Sequence, residues 1–173
     1  MTVPTLTTAR LVLRPLQRGD ADALATALDD WDVIRWLSGP PYPYRLADAR
    51  QFIADVRAGG AGVWAITLAD GGFLGTVGLG VEFGYWLRRG AWGRGYATEA
   101  TTALLDHHFA GGGAAVEAGI HPDNARSRHL LEKLGFVADG HSVTYFPARR
   151  ADIERPMFRL TPEAWRRLRD AAE

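Results

Sequence analysis

The stretch Glu82–Thr98, EFGYWLRRGAWGRGYAT, restricts the fold of this chain more than any other. Phe83, Tyr85 and Leu87 alternate with Glu82, Gly84 and Trp86, which fits an extended strand. Gly93-Arg94-Gly95-Tyr96-Ala97 follows, and an Ala/Thr/Leu segment with helical spacing then begins. A glycine turn feeding a helix presents several unpaired backbone N–H groups at the positive end of the helix dipole. Such an end binds a phosphate without needing a lysine. Gly93 and Gly95 would let a ligand approach the backbone closely. A connection whose glycines serve turn geometry alone is the competing reading. A dinucleotide-binding site fits poorly, because no aliphatic run precedes the turn and no acidic residue ends a second strand about twenty residues on.

Around this stretch the chain reads as strand, helices, three strands, helix, strand, helix, two strands, helix. Arg10–Leu16 is a first strand, and Asp20 is the expected N-cap of a helix with its stripe at Ala21, Leu24, Ala27 and Leu28. Trp31–Leu37 fits a short helix, Pro40–Arg45 a surface loop, and Asp48–Arg57 a helix ended by Gly59-Gly60. Gly62–Ala69, Phe73–Leu79 and Val81–Leu87 are three successive strands, with Gly75 and Gly78 marking bulges or close backbone approach. The central helix runs from about Gly95 to Ala110, and Ala115–His121 is the strand after it. Ala125–Leu134 is a helix capped by Gly135, Phe136–Val137 and Ser142–Phe146 are extended, Ile153–Leu160 is a strand, and Thr161-Pro162 opens a last helix. The three neighbouring strands predict an antiparallel part, and the crossover through the central helix predicts a parallel pair. The expectation is one mixed α/β (α+β) domain over residues 1–173.

Composition narrows the function. With no cysteine, there is no thiol nucleophile, thiolate metal site or disulfide. The five histidines have no ligand spacing, so no metal is expected. Twenty basic against twenty acidic residues leave no net charge to recruit nucleic acid or a membrane surface. No apolar run approaches the roughly 20 residues of a membrane span, and the N-terminus has no signal-peptide pattern. A cytoplasmic location is expected. Lys133, the only lysine, reads as compositional bias.

The second informative stretch is His121–Phe136, HPDNARSRHLLEKLGF. Asn124, Ser127 and Arg128 share one face of its helix start, and Asp123 or Asn124 is the N-cap. In order along the chain, GYWL, WGRGYATEA and NARSRHLLEKLGF resemble the GNAT superfamily of N-acetyltransferases. The opening TARLVLRPL with GDADAL looks like its RimJ/RimL branch, which acetylates protein N-termini and includes enzymes for small amines. The resemblance spans about Thr7 to Leu160.

It implies a GNAT-like fold, with a central, mostly antiparallel mixed sheet of about seven strands flanked by helices. It implies acetyl-CoA as donor and a primary amine as acceptor, a protein N-terminus or a small molecule, joined by direct attack in a ternary complex. By resemblance alone, the protein could be a homodimer. The pyrophosphate maps to the amides of Gly93, Arg94, Gly95, Tyr96, Ala97 and Thr98, with Trp92 at a position that holds Gln or Arg in many members. Tyr85, Trp86 and Leu87 would line the pantetheine arm, where two parallel strands splay apart and leave peptide groups free for it; Asn124 would bond it, and Ser127 would lie near the thiol. Arg126 and Arg128 either approach the nucleotide phosphates or lie on a solvated face.

Amide formation needs a base for the amine and an acid for the departing thiolate. Glu82 is the candidate base, against a water chain; Ser127 and Tyr145 compete as the acid. Trp31, Trp36, Tyr42 and Tyr44 are candidates to floor the acceptor pocket or to serve as packing. A non-catalytic acyl-CoA-binding module is the alternative function.

Overall fold

The computed structural model describes residues 3–60 and 62–171. Alternation and turn chemistry build a first sheet of five strands: β1 (Leu6–Thr7), β2 (Leu11–Pro15), β3 (Gly62–Leu68), β4 (Phe73–Leu79) and β5 (Phe83–Leu87), adjacent in that order and antiparallel throughout. Between β2 and β3 lie helices α1 (Ala21–Leu28), α2 (Trp31–Ile34) and α3 (Leu46–Asp55). After β5 come α4 (Tyr96–Ala110), β6 (Val116–Gly119), α5 (Ala125–Lys133), β7 (Val137–Phe146), β8 (Ala151–Leu160) and α6 (Pro162–Asp170). The last three strands form a second antiparallel sheet in the order β6-β8-β7.

The splayed parallel neighbours that the family resemblance implies are β5 and β6. β5 and β6 are neighbours, yet no ladder joins them, and the ladders present are antiparallel. In place of one sheet of about seven strands, the described residues form eight strands in two sheets. Alternation reveals that a segment is a strand but not which partner its edge takes. The facing edges of β5 and β6 keep peptide groups for another partner.

Two apolar clusters hold the layers. Leu11, Leu13, Ile66 and Val77 from the first sheet pack with Leu104 and Leu105 of α4 and Leu131 of α5, while Leu16, Leu24, Leu28, Ile34 and Ile53 gather α1, α2 and α3. Each such side chain contributes about 1.5–3 kcal/mol by leaving water. Ala100 and Thr101, fully buried on α4, let this helix sit close to the sheet.

Several local expectations changed in detail. Asp20 does not cap α1. It ends a 3₁₀ turn, accepting from the Gln17 N–H at 2.8 Å and from both terminal nitrogens of Arg14 at 2.7 and 2.9 Å. The bidentate pair with Arg14 outcompetes a single cap bond. The second helix is only one turn, and the third begins at Leu46, where Asp48 accepts from the Arg45 N–H at 2.7 Å. Phe136–Val137 and Ser142–Phe146 merge into the ten-residue β7, interrupted by a register shift near Gly140, whose φ is +84°. The Gly135 cap, with φ +84°, and the Thr161 cap, accepting from Ala164 N–H at 3.2 Å, follow the sequence.

Candidate active site

The glycine turn is bent by two left-handed residues, Gly93 (φ +72°) and Gly95 (φ +77°), and Gly95 caps α4. Among the described residues, the amides of Gly93, Arg94, Gly95, Tyr96, Ala97 and Thr98 donate to no protein group; the first bond of the helix is Glu99 N–H to the Gly95 carbonyl, 3.0 Å. Arg10, which sequence reasoning did not single out, braces the turn. Its Nη1 donates to the Arg94 carbonyl at 2.8 Å, its Nε to Glu99 Oε2 at 2.7 Å, and its guanidinium lies 4.7 Å above the Tyr96 ring. The trans peptide then points the Gly95 N–H the opposite way from the carbonyl held by Arg10. Burial opposes the charge on Glu99, but hydrogen bonds from Thr8 and Arg10 outweigh it and hold that carboxyl below its usual range.

β5 supplies the second set of backbone groups. The Arg88 N–H donates to the Leu74 carbonyl at 2.7 Å. Bonded positions alternate in an antiparallel ladder, so Trp86 and Gly84 also face β4, and Tyr85 and Leu87 turn their peptide groups away from it. The Leu87 carbonyl already accepts from the Trp92 indole at 2.8 Å. Of the Tyr85–Leu87 segment, the N–H and C=O of Tyr85 and the N–H of Leu87 are therefore those left for a ligand. Across the split, Asn124 caps α5, its Oδ1 accepting from Ser127 N–H at 3.1 Å, and the Ser127 and Tyr85 hydroxyls share a bond of 3.1 Å. Burial raises the Tyr85 phenol above its ordinary value, the bond to Ser127 offsetting part of this.

Two cavities of about 610 Å³ each meet here, and Trp36, Leu37, Tyr85, Trp86, Asn124 and Ser127 line both. Their charges differ. The first cavity runs over Leu87, Trp92, Gly93 and Gly95–Thr98; among the described residues, the charged side chains on its wall are Arg126 and Lys133, with His129 between them and no carboxylate. Residues 126, 129, 130 and 133 share one face of α5, and Arg126 also lies 4.9 Å over the Trp92 ring. Among the described residues, the second cavity carries Asp48, Asp55 and Glu82 and no basic side chain. Asp48, Gln51, Phe52 and Asp55 are its α3 wall, again spaced i, i+3, i+4, i+7. Trp36, Phe52, Phe83 and Tyr44 supply aromatic surface; burial, then the charge of Asp48, pushes the Tyr44 phenol up to about 12.

The structure separates the other predicted residues. Glu82 lies on the acidic cavity, but not as a lone strand carboxylate: its Oε1 accepts from Nη2 of the buried Arg155 at 2.5 Å. Tyr145 is half-exposed on β7 and lines neither cavity. Arg128 lies over the Phe158 ring, away from Arg126, and Arg94 offers backbone but no side-chain wall. Trp36 and Tyr44 reach the acidic cavity, whereas Trp31 and Tyr42 stack on each other with centroids 5.2 Å apart. Lys133, which composition alone reads as bias, lies on this wall with Arg126 and His129, at the helical spacing that the sequence already carries. Among the described residues no three His, Asp or Glu side chains converge to hold a metal ion.

Behind Trp36 sits His121, buried edge-on between Trp36 and Phe146, with Nδ1 accepting from Asp123 N–H at 3.2 Å. Burial, then the Arg149 guanidinium, lowers its pKa from 6.5; Asp123 opposes and Arg35 adds to the lowering. The unfolded chain therefore binds the proton more readily, so this stabilisation is present above the unfolded value and is lost as pH falls through the folded one. Calorimetric scans should show the thermal midpoint falling from about pH 7 to 5, with His121→Phe losing that part of the slope.

A family model for the acetyltransferase (GNAT) domain matches residues 10–137. The chain is 32% identical over 169 residues to an uncharacterized N-acetyltransferase, p20, of Bacillus licheniformis, covering 90% of this chain and 95% of that one. Among solved structures, Mycobacterium smegmatis RimJ in complex with CoA-disulfide has a TM-score of 0.75 at 27% identity, covering 99% of this chain and 95% of RimJ. The RimL ribosomal L7/L12 alpha-N-protein acetyltransferase in complex with coenzyme A shares the fold, with a TM-score of 0.77 at 17% identity, covering 93% of this chain and 99% of RimL.

Proposed function

Because this chain belongs to the GNAT acetyltransferase family, whose members are N-acetyltransferases drawing on acetyl-CoA, we propose that it acetylates a small amine carrying a second positive charge. The observation that carries this reading is the meeting of a basic and an acidic cavity at Tyr85, Trp86, Asn124 and Ser127. Acetyl-CoA supplies an activated acyl carbon and a thiol leaving group.

The free amides of Gly93–Thr98, with Arg126 and Lys133 beside them, hold the phosphates. Asn124 and the outward peptide groups of Tyr85 and Leu87 bond the amide groups of the pantetheine arm, and their N–H groups are suited to polarise the acyl oxygen. On the other side, attack requires a neutral amine, so the carboxylates of α3 act on a second, charged nitrogen of the acceptor. Glu82, fixed by Arg155, takes the amine proton directly or through a water chain. A cavity of about 610 Å³ falls in the range of small-molecule sites.

The test is thiol release from acetyl-CoA with a panel holding a linear diamine, a monoamine of equal length and a peptide with a free N-terminus. The diamine should give the highest kcat/KM. Binding of CoA without turnover on any amine would leave the protein an acyl-CoA-binding module, and preference for the peptide would place the acceptor among protein N-termini. Asp48→Asn and Asp55→Asn should each raise the diamine KM about 5-fold, as loss of a partly exposed charge pair does. The KM for acetyl-CoA should stay unchanged in both.

A further inference from the structure

We propose that Tyr85 is the proton donor to the departing thiolate and that Ser127 positions it. The inference rests on the acyl-transfer reading above. An acyl group passing from the basic to the acidic cavity has to cross the residues common to both walls, because donor and acceptor enter from opposite sides. The hydroxyls among those shared residues are Tyr85 and Ser127; Ser38, Tyr44 and Thr76 line only the acidic cavity, and Tyr96 and Thr98 only the basic one. Tyr145, the other tyrosine considered for the role, lines neither.

Acidity decides between the two shared hydroxyls. A phenol loses its proton near pH 10 and a thiol near 8.5, values close enough for efficient transfer. An aliphatic hydroxyl is a far weaker acid. Burial shifts the Tyr85 phenol upward, so the proton is in place through the neutral range. With the Ser127 hydroxyl donating across the 3.1 Å bond, the phenolic proton is left free to point at another acceptor. The Ser127 backbone is itself tied to the Asn124 cap, so the helix start sets this orientation. In the step, the acceptor nitrogen forms the C–N bond, the C–S bond breaks, and the Tyr85 Oη proton passes to sulfur. The proton shed by nitrogen passes to Glu82, and from there through solvent a proton returns to the phenolate, so the protein ends as it began.

Tyr85→Phe, Ser127→Ala and the double variant are to be assayed with acetyl-CoA and the best amine of the panel, alongside calorimetric CoA affinity and the thermal midpoint. Tyr85→Phe should lower kcat about 100-fold or more, the usual scale for loss of general acid catalysis. Its CoA affinity should stay within about 3-fold, since the contact acts in the transition state. Ser127→Ala should lower kcat about 10-fold, and the double variant should be no slower than Tyr85→Phe, as for two groups acting as one unit. If Tyr85→Phe keeps wild-type kcat, or Ser127→Ala is the slower single variant, the assignment is overturned while acetyl transfer stands. If the wild-type chain transfers acetyl to no amine, the functional reading fails and this one with it.

Discussion

Gly95→Glu is expected to weaken CoA binding at least 100-fold, roughly the effect of 2.7 kcal/mol. Three effects point the same way. Gly95 has φ +77°, a conformation that costs other residues about 1–2 kcal/mol. A Cβ there would lie 3.3 Å from Arg10 Nη2, crowding the side chain that steadies the Arg94 carbonyl. The new carboxylate would also face the phosphates, and two like charges about 4 Å apart repel by about 4 kcal/mol at an effective dielectric of 20. Gly93→Ala separates strain from charge: φ there is +72°, and nothing lies within 4 Å of the added methyl. It should lose a little stability and keep most of its affinity. Titration calorimetry of both variants checks this, and unchanged affinity in Gly95→Glu would move the phosphates away from the turn.

The largest loss of stability is expected from one methyl group, Gly75→Ala. Its Cβ would sit 2.0 Å from the Trp86 carbonyl oxygen and 2.9 Å from the Leu87 Cα. Both obstacles are backbone, so no side-chain rotation relieves them, and β4 and β5 would have to separate. The cause is local: Ile66 pairs with Gly75 but Thr67 with Phe73, so Leu74 is an extra residue that bends β4 toward β5. Overpacking of this kind costs about 3 kcal/mol or more, a fall in thermal midpoint of roughly 10 °C for a chain this long. Acetyl transfer should fall further than stability, because β5 carries Tyr85 and Leu87. Gly84→Ala, with nothing within 4 Å, should be nearly silent by comparison. Equal midpoints for Gly75→Ala and the parent chain would refute this account of the bulge.

Close approach at Gly75 and Gly78 was legible in the sequence, because a glycine inside a strand pattern has few other uses. So was the passage from Trp92 through Gly93 and Gly95 into the long helix, since glycines, a dipole and missing acceptors are properties of neighbouring residues. The Asn124 cap was legible as one of two options, which differ by a single position. The split between the sheets was legible only through family resemblance; the alternation of residues 82–87 is the same whether or not a ladder forms on the outer edge.

What the sequence determined by itself, then, is a set of local devices: most of the strands, the caps at Asn124, Gly135 and Thr161, the bent turn and the free amides at its helix. These depend on contacts within a few positions along the chain. Tertiary structure decided the chemistry around them. It brought Arg10 to Arg94, Glu82 to Arg155 and Tyr85 to Ser127, pairs separated by 84, 73 and 42 positions. It also sorted a chain of zero net charge into one basic and one acidic cavity by facing α5 toward the first and α3 toward the second. Helical periodicity sets which residues share a face, and packing against distant strands sets what that face meets.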